Sequence, residues 1–111
     1  MAEPHWPRIK EILDNSLKRW QDAHGREPNL KIAHEGHLGW ETKGELAESN
    51  PYGKQLIEPD KVGNERAGET NLVKILRTYI GAYRRMPSGG PYLPNDEIQE
   101  IVDWINAGMP D

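Results

Sequence analysis

Three segments of this 111-residue chain carry apolar side chains at helical spacing, and this periodicity constrains the fold more than any other feature. The first segment runs from Pro7 to Ala23, the second from Asn71 to Tyr83 and the third from Asn95 to Ala107. No region shows the alternation of apolar and polar residues that is typical of a half-buried strand. We therefore expect a single all-α domain over residues 1–111, with three to four helices and long connecting loops.

The periodicity also predicts which helix faces form the core. We expect the apolar stripes of the first and third helices to face each other. They consist of Ile9, Ile12, Leu13 and Leu17 on one side, and of Ile98, Ile101, Val102 and Ile105 on the other. The chain contains no Phe, so its four Trp and four Tyr residues supply the aromatic volume.

Residues near the ends of these segments agree with the predicted boundaries. Gly25 and Gly108 follow the first and third helices, where glycine readily adopts the left-handed conformation that ends a helix. Thr70 or Asn71 is expected to cap the second helix, and Asn95 the third, because their side-chain oxygens accept hydrogen bonds from free N–H groups.

The region from Arg26 to Gly68 is polar and lacks sustained periodicity. Thr42 to Glu48 is nevertheless expected to form a short helix, with Thr42 as its N-cap and Glu45 completing a capping box. Lys54 to Val62 is expected to be an extended segment that crosses the core.

Charge and hydropathy exclude some classes of function. The net charge of -4 argues against nucleic-acid binding, which needs basic patches for phosphate contacts. No apolar run approaches the roughly 20 residues of a membrane-spanning helix, so we expect no membrane insertion. The N-terminus has no apolar leader, which predicts a cytoplasmic protein as written, or a periplasmic one if Met1 replaces a removed leader.

The segment from Arg84 to Asp111 reads RRMPSGGPYLPNDEIQEIVDWINAGMPD. It resembles the C-terminal part of small c-type cytochrome domains, in which a Met-Pro loop presents the methionine to haem iron. In those domains a helix with the pattern Glu-Ile…Trp-Ile…Ala-Gly-x-Pro-Asp closes the fold. The chain thus resembles the cytochrome c-like superfamily, especially its small planctomycete-type members, most clearly from Gly53 onward. The resemblance implies a cytochrome c-like fold, an ancestry in electron transfer and Met86 as the distal haem ligand.

The haem-attachment motif of that family is absent. In the family, a helix with Ile-x-x-Ile-Leu leads into C-x-x-C-H, whereas this chain has no cysteine. Aligned on that helix, Ser16 and Arg19 stand where the two cysteines would be, and Trp20 stands where the proximal histidine would be. Covalent attachment requires the two thiols and the histidine, so we expect no covalently bound haem.

Each residue implied by the resemblance also has a structural interpretation. Met86 is either a haem ligand or a methionine that fills a gap between helices. Trp20, with Trp40, either plugs the space of a lost porphyrin or is an ordinary core residue. His24 follows Trp20 by one helical turn, and it is the histidine best placed to bind a non-covalent haem together with Met86.

His34 and His37 form a second candidate site, because imidazoles three residues apart can share a metal ion on a helical turn. The alternative is that both are surface histidines in a polar loop. Two functions follow from these alternatives. The first is a non-enzymatic structural or protein-interaction module with an unidentified protein partner. The second is an electron-transfer or haem-sensing protein that holds haem non-covalently through Met86 and a histidine.

Overall fold

The structure is a computed structural model that describes residues 4–25, 40–49, 55–78, 86 and 91–111. In this part of the chain the regular elements are four α-helices and two 3₁₀ turns, without strands. The helices are α1 (Trp6–His24), α2 (Lys43–Glu48), α3 (Asn71–Arg77) and α4 (Asn95–Asn106), and the 3₁₀ turns span Pro59–Lys61 and Ala67–Glu69. The predicted all-α class is confirmed.

The first helix forms because its apolar residues recur on one face. Ile9, Ile12, Leu13 and Ser16 are the buried residues of α1, at intervals that keep them on one stripe. Leu17, predicted to belong to this stripe, is half-buried. Gly25 ends the helix with φ 67° and ψ 23°, and its N–H donates to the carbonyl of Gln21. The predicted left-handed glycine cap is confirmed.

The last helix, α4, is the central element of the fold. It contacts α1, α3 and the 3₁₀ turn Ala67–Glu69. Its buried residues are Ile98, Ile101, Val102, Trp104 and Ile105. Those residues, the stripe of α1, Leu46 of α2 and the apolar face of α3 form a single core cluster. The predicted packing of the first helix on the last is therefore confirmed.

The short helices α2 and α3 begin at threonine caps. Thr42 Oγ1 accepts from the Glu45 N–H at 3.0 Å, while the Glu45 carboxylate accepts from the Glu41 N–H at 3.0 Å rather than from Thr42. Thr70 Oγ1 accepts from the Val73 N–H at 3.3 Å, so Thr70 and not Asn71 caps α3.

The segment from Gln55 to Val62 is less extended than predicted. Leu56 and Ile57 are buried as expected, but the 3₁₀ turn Pro59–Lys61 interrupts the chain after them. Leu56 connects two helices through its main chain, since its N–H donates to Ser49 and its carbonyl accepts from the N–H of Leu72.

Two predicted helix boundaries were wrong. The helix predicted from Asn71 to Tyr83 ends at Arg77, because Thr78 leaves the helical region with φ −152° and ψ −113°. Residues 79–85 lie outside the described part of the chain. The N-cap of α4 is Pro94 and not Asn95, which is the first helical residue and makes no capping hydrogen bond.

Candidate functional site

The face of α1 that carries Ser16, Arg19 and Trp20 is the first candidate site, because these three residues align with the cysteines and the histidine that the resembled family uses to attach haem. Ser16 is only 4% exposed, and its hydroxyl has no hydrogen-bond partner among the described residues. Arg19 reaches across to α4, where its Nη2 donates to Glu97 Oε1 at 2.9 Å. Arg19 Nε is buried as well, and within the described structure it too lacks an acceptor.

Trp20 is not part of the core cluster. It is half-buried and stacks on His24, one helical turn further along α1, with ring centroids 4.3 Å apart. Trp40 is also half-buried; it packs against the core cluster, and its indole N–H donates to Asp14 Oδ1 at 2.9 Å. The fully buried indole is that of Trp104 on α4. The pocket-plug role of Trp20 stays a prediction.

Met86 and His24 are the predicted pair of haem ligands, and of the two only His24 lies in a helix. Met86 is half-buried against the core, and its main-chain N–H donates to the Ile75 carbonyl near the end of α3 at 2.8 Å. His24 is exposed in the last turn of α1. His34 and His37, the predicted metal ligands, lie outside the described residues. Among the residues that are described, no group of three or more His, Asp or Glu side chains is arranged to hold a metal ion.

A bidentate ion pair between Arg8 and Glu100 joins α1 to α4. Arg8 donates from Nε and Nη2 to the two carboxylate oxygens of Glu100, both at 2.9 Å, and it also contacts Glu11. The hydrogen bonds with Glu100, and secondly with Glu11, raise the pKa of Arg8 above its ordinary value. The hydrogen bond from Arg8 lowers the pKa of Glu100 in turn.

Asp14 connects α1 to Trp40, which lies three residues before the start of α2. Its carboxylate accepts from Lys10 Nζ and from the indole of Trp40, each at 2.9 Å. Partial burial raises the pKa of Asp14, but these two hydrogen bonds outweigh it and the net pKa lies below the ordinary value. The ionised carboxylate of Asp14 thus holds the Trp40 indole through a hydrogen bond.

Residues 109–111 form a C-terminal strap that sequence reasoning missed. The Pro110 carbonyl accepts two hydrogen bonds, from the Trp6 N–H at 3.0 Å and from the Trp104 indole at 2.9 Å. Lys43 of α2 donates to the Met109 carbonyl at 3.1 Å and pairs with the Asp111 carboxylate. The strap therefore connects α1, α2 and α4.

The strap begins at a Schellman motif, which the sequence did signal. Gly108, at φ 92°, donates to the Ile105 carbonyl at 3.1 Å, and the following Met109 N–H donates to Trp104 at 2.9 Å. Gly108 was predicted to end this helix, and that prediction is confirmed. The donors from Trp6 and Lys43 lie far away in the sequence, so no local pattern could have assigned them.

Comparison with known proteins finds no matching family, no similar curated protein and no similar solved structure. Among the described helices, none is both long enough and apolar enough to cross a membrane.

Proposed function

We propose that this chain is a cytochrome c-like domain that has lost covalent haem and acts as a structural or protein-interaction module. The observation that carries the proposal is the chemistry of α1 at Ser16, Arg19 and Trp20. A serine and an arginine cannot form the thioether bonds that attach haem. An indole N–H is a donor only, so Trp20 cannot ligate iron as an imidazole does.

The same face of α1 makes contacts of another kind. Arg19 pairs with Glu97, whose side chain is only 15% exposed, so this position joins α1 to the first turn of α4. Trp20 stacks on His24. On this face of α1, Arg19 contacts another helix and Trp20 contacts another ring. Such contacts are consistent with a structural role for the domain.

The core is made of protein side chains from all four described helices. Its cluster includes Ile9 of α1, Leu46 of α2, Val73 of α3 and Ile101 of α4, and each is at most 1% exposed. Trp104 is the largest fully buried side chain. Such a core gives the four helices a common apolar interior, which supports a structural role for the domain.

An aromatic surface residue supports the interaction role. Tyr92 is 45% exposed and lies just before α4. Tyrosine and tryptophan are favoured anchors in protein interfaces, because they bury a large area while keeping a polar group for a hydrogen bond. Trp6 and Trp40 are half-buried and pack on the core, so each leaves part of its ring at the surface.

The visible spectrum tests this proposal. Protein purified from a haem-replete host is expected to show no Soret band, and added haemin is expected to produce only the weak, unsaturated absorbance of non-specific binding. Met86→Ala and His24→Ala are the matched variants. A tight one-to-one Soret band that shifts in Met86→Ala would contradict the proposal.

The second function, electron transfer or haem sensing with non-covalent haem, is favoured by the position of Met86. Its side chain packs on the core without being fully enclosed, and its main chain is fixed by the hydrogen bond to Ile75. A Met and a His ligand together raise the reduction potential of haem iron. A saturable Soret band that is weakened in both Met86→Ala and His24→Ala would show non-covalent haem binding through these two residues and would favour this function instead.

A further inference from the structure

Met109 is the first residue of the C-terminal strap, and its side chain packs against the core cluster. The residue is half-buried, so it contacts the apolar core and also keeps part of its surface in solvent. A thioether packs well on apolar side chains, because it is uncharged and polarisable. The strap is thus fastened to the core partly through a group that oxidation can change.

The main chain of Met109 is in a conformation that other contacts must hold. Its φ is 60°, in the left-handed region, where a residue with a β-carbon is strained. A strained backbone persists only where the surrounding structure holds it in place. The contacts that do so here are the packing of the Met109 side chain and the hydrogen bonds along the strap.

Those hydrogen bonds connect the strap to three helices. The Met109 N–H donates to the Trp104 carbonyl at 2.9 Å, and the Met109 carbonyl accepts from Lys43 Nζ at 3.1 Å. The next carbonyl, of Pro110, accepts from the Trp6 N–H at 3.0 Å and from the Trp104 indole at 2.9 Å. The Trp104 side chain is fully buried. If Met109 moves away from the core, Pro110 moves with it and the Trp104 indole loses its acceptor.

We propose that Met109 is a reversible oxidation site, and that its oxidation by a hydroperoxide releases the strap from the core. With hydrogen peroxide, one peroxide oxygen is transferred to Sδ: the O–O bond breaks and an S=O bond forms. The sulfur is oxidised by two electrons and the peroxide is reduced to water. A methionine sulfoxide reductase returns the sulfoxide to the thioether at the expense of a thiol. Haem takes no part, so the test is independent of the function proposed above.

The sulfoxide weakens the docked strap for two reasons. Oxidation places a polar oxygen on a side chain that packs against apolar residues, and burial of a polar group without a hydrogen bond is unfavourable. If the side chain turns towards water instead, it gives up the packing that holds the left-handed backbone of Met109. Either way, the equilibrium shifts towards the released strap, and one unsatisfied polar group corresponds to a shift of about tenfold.

Hydrogen exchange of the Trp104 indole, followed by NMR, measures this release. The full chain is treated with hydrogen peroxide, and mass spectrometry of its peptides gives the extent of oxidation at Met109. We expect oxidation to accelerate exchange of the Trp104 indole about tenfold, and reductase with a thiol to restore the original rate. The Trp40 indole is the internal control, because it donates to Asp14 and not to the strap. Its exchange rate should stay the same.

Met109→Leu is the matched control variant, because leucine is apolar and of similar volume but has no sulfur. Peroxide still oxidises the other methionines of this variant, Met1 and Met86, and we expect Trp104 exchange to stay slow. Met86 is a demanding comparison, since it too is half-buried against the core but lies outside the strap. Met109→Gln introduces a polar side chain without oxidation, and it should show fast Trp104 exchange before any treatment.

Four results would overturn the proposal. Met109 that stays reduced while Met1 is fully oxidised would mean that peroxide does not reach its sulfur. Slow Trp104 exchange after Met109 is oxidised would mean that the strap tolerates the sulfoxide. Fast exchange in peroxide-treated Met109→Leu would place the cause at another methionine. Equal acceleration at the Trp40 indole would mean a general loss of stability and not release of the strap.

Discussion

Thr70 offers the sharpest test of how α3 is held to the 3₁₀ turn that precedes it. Its side chain is fully buried, and its hydroxyl makes two hydrogen bonds. Oγ1 donates to the Ala67 carbonyl at 2.7 Å and accepts from the Val73 N–H at 3.3 Å, which connects the 3₁₀ turn Ala67–Glu69 to α3. Thr70→Val keeps the shape of the side chain and removes both hydrogen bonds. Thr70→Ser keeps the hydroxyl and removes one methyl group.

The structure sets different magnitudes for these two changes. Loss of an N-cap oxygen costs about 1 kcal/mol, and loss of the second hydrogen bond adds about 1 kcal/mol. The Ala67 carbonyl keeps one partner, because it also accepts from the Thr70 N–H at 3.1 Å. We therefore expect Thr70→Val to lower the free energy of unfolding by about 2 kcal/mol. Loss of one buried methyl group in Thr70→Ser costs about 1 kcal/mol.

Urea unfolding followed by far-UV circular dichroism measures both variants. The midpoints should decrease in the order original, Thr70→Ser, Thr70→Val, with an unchanged slope that shows the same cooperative transition. The reasoning is refuted if Thr70→Ser is as destabilising as Thr70→Val. In that case packing of the methyl group, and not hydrogen bonding, would hold α3 to the preceding turn.

Three further variants test other contacts. Gly25→Ala should cost about 1 kcal/mol, because Gly25 has φ 67° and an added Cβ would meet no atom within 4 Å; an unchanged urea midpoint would contradict this. Trp104→Phe should cost about 1–2 kcal/mol from the lost hydrogen bond to Pro110 and the smaller ring, and thermal unfolding of both proteins would detect it. Glu100→Gln should lower the melting temperature at pH 7, and this deficit should vanish in acid. The pKa of Glu100 lies below its ordinary value of 4.5, so its contribution is complete above that pH and is lost as the pH falls through the lower folded-state pKa. A deficit that persists below this range would mean that the Arg8 ion pair is not its cause.

The long helices were predictable because the information for them is local. α1 and α4 show apolar residues every three or four positions, and only a helix places such residues on one face. The caps at Thr42, Thr70 and Gly25 were equally readable, since a cap depends on a side chain or backbone angle within a few residues of the helix end.

The error at the end of α3 arose where contacts from a distant part of the chain compete with local periodicity. Residues after Arg77 continue the apolar pattern of α3, yet the helix ends at that residue. The Ile75 carbonyl, one of the free acceptors of the last turn, takes its hydrogen bond from the N–H of Met86. That bond depends on the path of the chain beyond the helix, which no local pattern specifies.

At the candidate site, too, the sequence identified some features and only the structure showed others. The sequence identified Ser16, Arg19 and Trp20 as unusual residues, through their places in the resemblance. It did not show that Arg19 pairs with Glu97, or that the Ser16 hydroxyl is buried without a partner in the described structure. The pairing of Arg19 with Glu97 depends on the packing of α4 on α1, which no local pattern specifies.

The sequence by itself determined the all-α class, the two long helices and the glycines that follow them, because these depend on contacts within about one turn. Only the tertiary structure decided which groups meet across the core. Arg8 pairs with Glu100 at a separation of 92 residues, and Lys43 reaches the Met109 carbonyl across 66. Such partners are selected when the apolar faces pack and bring distant polar groups together. Their identity is therefore a property of the folded core rather than of any segment.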